Sequence, residues 1–112
     1  MHEMTTLEDW ESCLSASDSG PVLVFKHSTR CPVSARAYEA VQRHLGGRAA
    51  GGPPFYLVKV VESRPVSTRI AEALGVEHQS PQLILVRGRA AVWSTSHLNI
   101  TEERIRAAET AG

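Results

Sequence analysis

The chain has two cysteines in 112 residues, Cys13 and Cys31. That is too few for a disulfide-held scaffold. The fold must rest on a hydrophobic core, and this length suffices for one domain, residues 1–112, but not for two ordinary ones. Excess charge is also lacking: 12 Lys and Arg balance 12 Asp and Glu. A nucleic-acid partner would need a basic footprint that this balance does not supply. No apolar run approaches a membrane span, so no membrane partner is expected. The first residues, Met1-His2-Glu3-Met4, are polar and acidic, and no secretory signal is visible. With so little cysteine, the expected setting is reducing and cytoplasmic. Five histidines, His2, His27, His44, His78 and His97, show no metal-ligand spacing, and two cysteines do not complete a zinc set. Gly46-Gly47 and Gly51-Gly52 lack the lysine-serine pair of a phosphate loop. Neither a metal nor a bound cofactor is expected.

What is present is a short reactive-looking stretch. Val22-Leu23-Val24-Phe25 reads as a buried strand running to about Lys26, and Ala35 to Leu45 reads as a helix. Between them stands His27-Ser28-Thr29-Arg30-Cys31-Pro32-Val33-Ser34. The first N–H groups of a helix have no internal partner, and with the helix dipole they favour an anion. A thiolate is such an anion and is the reactive form of cysteine. Pro32 suits a first helical turn because it has no N–H to leave unpaired. Strand, polar loop and Cys-Pro at a helix start together describe the reactive-thiol position of a thioredoxin-like fold.

The rest of the chain fits that frame. Thr6 and Asp9 suggest a capped N-terminal helix with Leu7, Trp10 and Leu14 on one face, ended by the polar cluster Ser15 to Pro21. Cys13 lies beside that face and reads most simply as a small buried side chain. Gly46-Gly47 should stop the second helix. Phe55 to Val61 forms a second strand, Val66 to Leu74 a helix ended by Gly75, and Gln82 to Val86 a third strand. Arg87-Gly88-Arg89 turns into a returning strand, Ala90 to Ser94, and Thr101 caps a last helix carrying Ile105 and Ala108. The predicted order is α-β-α-β-α-β-β-α, an α/β thioredoxin-like fold with a mixed four-stranded sheet and helices on both faces. The first two strands should be parallel and the last two an antiparallel hairpin.

In such folds a proline opening the third strand takes the cis form and sits against the cysteine, and Ser80-Pro81 stands at that place. The backbone of Ser80 would then be offered to an incoming thiol or peptide, so Ser80 and Pro81 are candidate substrate-binding residues. Arg30 and His27 can add positive charge if they point inward; His27 can equally be a satisfied structural group. Ser34 can donate to a Cys31 thiolate or merely complete the helix cap, and Pro32 helps to set the helix start. Ser34 also replaces the second thiol of a Cys-x-x-Cys motif. Cys31 can therefore take over a mixed disulfide without resolving it locally, and an outside thiol must regenerate it.

Phe25-Lys26-His27-Ser28, Cys31-Pro32-x-Ser34, Ala37-Tyr38-Glu39 and Ser80-Pro81-Gln82 resemble the monothiol bacilliredoxin-like family, over nearly the full chain. The resemblance implies a thioredoxin-like oxidoreductase that takes bacillithiol off modified proteins, with Cys31 as the active cysteine and Pro81 as the cis-proline. Bacillithiol would be co-substrate, thiolated proteins the clients, and Arg30 and His27 partners for the small thiol's carboxylates. Two other classes stand beside this reading: a non-catalytic redox-sensing or binding adaptor, and a dithiol enzyme with Cys13 as resolving cysteine.

Overall fold

The computed structural model describes residues 1–111. Its elements in chain order are β1 (His2–Glu3), α1 (Leu7–Ser19), β2 (Val22–His27), α2 (Pro32–Gly47), β3 (Phe55–Lys59), α3 (Arg64–Leu74), β4 (Gln82–Arg87), β5 (Ala90–Ser96), a 3-10 turn (His97–Asn99) and α4 (Glu102–Ala111). The sheet order is β1-β3-β2-β4-β5. β2 and β3 run parallel, whereas β4 is antiparallel to both β2 and β5.

The sheet has five strands rather than the four expected. The extra strand is the two-residue edge β1, which pairs parallel with Tyr56 and Leu57 of β3. Two polar residues carry no alternating pattern, so nothing local marks them as a strand. What fixes them is Met4, which is 1% exposed in the core and whose N–H donates to the Leu57 carbonyl at 2.7 Å.

The period-two alternation of β2 divides the core. Val22 and Val24 face a cluster with Trp10, Cys13 and Leu14 of α1 and Val66 and Ile70 of α3. Leu23 and Phe25 face the opposite cluster, with Ala37 and Val41 of α2 and Ile105 of α4. All six residues of β2 are buried, as a central strand covered on both faces requires.

Helix boundaries moved where tertiary contacts overrode local signals. α1 continues through the serine-rich cluster to Ser19. Buried Ser17 donates to the Leu14 carbonyl and accepts from the Arg89 N–H, so the β4–β5 hairpin holds this last turn. α2 keeps both Gly46 and Gly47, its end pinned by His44 and Arg48, which both meet Glu109 of α4. β3 stops at Lys59, whose carbonyl accepts from the Ser63 N–H at 2.8 Å as the chain turns toward α3. Gly75 ends α3 at φ 65°, in the left-handed region suited to glycine.

Candidate functional site

Strand register brings four loops to one end of the sheet. His27 pairs with Lys59, Lys26 with Gln82, and Gln82 with Ser96. The segments that follow β2, β3 and β5 and the one that precedes β4 therefore meet at the same edge. They carry Cys31, Glu62, His97 and Ser80-Pro81.

Cys31 is the N-cap of α2, partly exposed, with extended backbone at φ −104° and ψ 124°. Pro32 follows inside the first turn, and no acidic residue stands there to oppose an anion. The Cys31 side chain makes no capping hydrogen bond. Its chemistry therefore rests on the helix end rather than on a dedicated donor.

Ser34 does not serve as that donor. It is fully buried; its Oγ accepts from the Ser28 N–H at 2.9 Å and lies 2.7 Å from His27 Nδ1. The hydroxyl is thus used to close the loop from underneath. His27 is likewise turned inward, 8% exposed, with its ring 4.9 Å from Tyr38 and 5.6 Å from Phe25. Burial, and then the nearby Lys59 charge, push its pKa below the ordinary histidine value, with Glu62 opposing. A neutral ring can accept the Ser34 proton at Nδ1. His27 is therefore a buried support of the loop, held by Ser34 and set beside Tyr38. Residues of odd number in β2 face α2, which is why the ring ends under that helix.

Arg30 is exposed on the loop. Its charge, with that of Lys59, helps to hold the Glu62 carboxyl below its ordinary value, behind the larger effects of a backbone hydrogen bond and the Thr29 hydroxyl bond. That Thr29–Glu62 bond, 3.1 Å long, ties the Cys31 loop to the β3–α3 link.

The Ser80–Pro81 peptide is cis. Pro81 is buried, and Ser80 is partly exposed with its Oγ buried and unpartnered among the described residues. Gln82 braces the segment before it, accepting from the Gln79 N–H and donating to the Glu77 carbonyl. The Pro81 carbonyl accepts from the His97 N–H at 3.0 Å, so the β5–α4 link is fastened to the proline.

Cys13 is fully buried in the α1–α3 cluster, on the other face of the sheet from α2. Burial pushes its thiol up to about 12. The fold gives it no approach to Cys31.

Sequence reasoning missed Lys26. This side chain is fully buried on the α3 side of β2, and no carboxylate pairs with it among the described residues. Its Nζ donates to the Ser67 carbonyl at 3.1 Å and meets His78 Nδ1 at 3.1 Å. Burial pushes its pKa down to about 8. The signal was the alternation itself: Val22, Val24 and Lys26 share one face. The lysine thus anchors the segment carrying His78, two residues before Ser80.

No helix among the described residues is long and apolar enough to cross a membrane. The fold is similar to that of a thioredoxin-fold protein proposed to be an oxidoreductase, at TM-score 0.83 and 28% identity, covering 96% of this chain and 92% of that one. It also matches Fasciola hepatica thioredoxin (TM-score 0.72, 17% identity, 99% and 98% covered). Mitochondrial thioredoxin 3 of Saccharomyces cerevisiae gives TM-score 0.74 at 11% identity, with 100% and 95% covered. The family model described as monothiol bacilliredoxin BrxC matches residues 2–105. With a partly exposed cysteine capping a helix and a serine in place of its partner, the chain belongs to the monothiol bacilliredoxin family, a thiol-redox family of thioredoxin fold.

Proposed function

We propose that this protein is a monothiol carrier that removes bacillithiol, or a similar low-molecular-weight thiol, from protein mixed disulfides through Cys31. The observation that carries this is Ser34: where a second thiol would resolve the adduct, a buried hydroxyl is committed to His27 and Ser28. The burial of Cys13 across the sheet supports the same reading against a dithiol enzyme.

In the first step the Cys31 thiolate attacks the small-thiol sulfur of the client's mixed disulfide. A new S–S bond forms on Cys31, the old one breaks, and the client leaves as a thiolate. In the second step a free bacillithiol thiolate attacks the small-thiol sulfur on Cys31. This gives bacillithiol disulfide and restores the Cys31 thiolate. The outside thiol is the reductant, so no bound cofactor is needed. The backbone at Ser80 and Pro81 is the proposed platform for the incoming disulfide.

The test is intact mass after incubation with a bacillithiolated client, then with free bacillithiol, and with glutathione in parallel. The expected result is a gain of one small thiol, absent in Cys31→Ser and discharged by bacillithiol. Loss of two hydrogens with no adduct would point to Cys13, and no change at all would leave a binding adaptor.

A further inference from the structure

Thiol transfer at Cys31 makes no use of the charge on Lys26. That side chain is fully buried on the α3 side of β2, and no carboxylate pairs with it among the described residues. A buried ammonium without a counter-charge is costly, and an anion placed beside it relieves that cost. A cavity of about 290 Å³ opens at the two residues that hold the amine, Ser67 and His78. Arg64, Thr68 and Ala71 continue its α3 wall, and His78 closes it from the segment leading to Ser80.

We propose that this cavity binds a phosphate group, held by the Arg64 guanidinium, the His78 Nε2–H and the Thr68 hydroxyl, with the buried Lys26 charge behind them. The site is separate from Cys31 and does not depend on the thiol chemistry.

Three observations converge. First, the buried lysine sets the histidine as a donor. An ammonium has no acceptor, so the 3.1 Å bond between Lys26 Nζ and His78 Nδ1 runs from lysine to ring. The ring is then neutral with its proton on Nε2, which has no hydrogen-bond partner among the described residues. Burial, and then the charges of Lys26 and Arg64, push its pKa below the ordinary histidine value, which keeps it in that form. Second, the positive charge is unspent. Arg64 is exposed and has no ion pair among the described residues. Glu62, two residues before it, is bonded to Thr29 instead. Glu72 also lines the cavity, but it stands two helical turns from Arg64, about 12 Å along the axis at 1.5 Å per residue. Third, spacing and size fit. Arg64 and Thr68 are i, i+4 neighbours on one face of α3, roughly 5–6 Å apart at Cβ. A phosphate has three free oxygens even as a monoester, enough for a guanidinium, an imidazole N–H and a hydroxyl together, whereas a carboxylate has two. The volume lies at the small end of the roughly 300–1,000 Å³ range of ligand sites, which suits a phosphate on a short stem rather than a nucleotide. A group bound there would join α3 to the segment that carries Ser80, two residues beyond His78.

The experiment titrates inorganic phosphate, and acetate in parallel, into wild type, Arg64→Glu and Lys26→Met at constant ionic strength. NMR follows the His78 ring and the Thr68 amide. The expected result is a saturable shift of both with phosphate. Arg64→Glu, a change at an exposed position outside the core, should weaken the affinity about tenfold or more, as loss of a charge-assisted contact predicts. Lys26→Met should weaken it as well. Shifts that never saturate, or an affinity unchanged in Arg64→Glu, would overturn the proposal. Saturation centred on the Cys31 and Val33 amides would also overturn it, by placing the anion at the start of α2. Acetate bound as tightly as phosphate would overturn the choice of a phosphate over a carboxylate.

Discussion

At the scale of single residues, Ser34 governs both the loop and the mechanism class. Its Oγ accepts the Ser28 N–H and holds the His27 ring, so Ser34→Ala removes the partner of the buried His27 Nδ1 and of the partly buried Ser28 N–H. The expected cost is about 1–3 kcal/mol in urea unfolding. Ser34→Cys restores the dithiol spacing, and the expected outcome is internal release of any adduct, seen as loss of two hydrogens in place of the added small thiol. A stable adduct on that variant would refute the account of why the carrier keeps its load. Lys26 gives a pH signature. Its folded value, about 8, lies below the ordinary 10.5. Between those values the unfolded chain binds more protons, so this group makes stability rise with pH through that window. Cys13, at about 12 against an ordinary 9.0, acts oppositely, because the folded chain keeps a proton the unfolded chain loses. Subtracting Lys26→Met from wild type isolates the lysine. The difference should shift toward wild type between about pH 8 and 10.5, by at most about 3 kcal/mol. Urea midpoints across that range check it, and a flat difference would mean the amine ionises normally. Cys31 and Pro81 were legible because each sits at a boundary between recognisable elements. His27 and Ser34 could be named but not oriented: which way a loop-end ring points depends on the strand's phase against α2, and the loop motif does not state it.

At the scale of elements, local signals set the starts of helices and tertiary contacts set several ends. The Thr6–Asp9 capping box was readable from sequence and is present. The continuation of α1 to Ser19 was not, because serines that read as a stop are held helical by a hairpin more than seventy positions away. Gly75 was readable for a physical reason: only its φ of 65° lets the chain leave α3, and a Cβ added there would meet nothing within 4 Å. Gly75→Ala should therefore cost about 1 kcal/mol from backbone conformation alone, with no packing loss. Thermal unfolding of that variant checks the figure, and a drop of several kcal/mol would reveal a contact that the open space around Gly75 does not contain.

At the scale of the whole molecule, the sheet keeps its two thiols apart. Cys31 caps α2 at the sheet's end, and Cys13 is sealed between α1 and α3. Brief alkylation of native protein should label Cys31 alone, with Cys13 labelled only as fast as the chain unfolds. Equal labelling of both would contradict the burial of Cys13. The mixed sheet was legible from the order of apolar runs, whereas the fifth strand was not, since β1 exists only because Met4 finds the core beside β3. The committed hydroxyl of Ser34 has a consequence beyond the catalytic step. With no internal exit, the proposed loaded form decays only as fast as the surroundings deliver a free thiol. The fraction of molecules found loaded would then track the supply of reduced thiol around them, which makes the resting population of this small protein a gauge of its cell's redox weather.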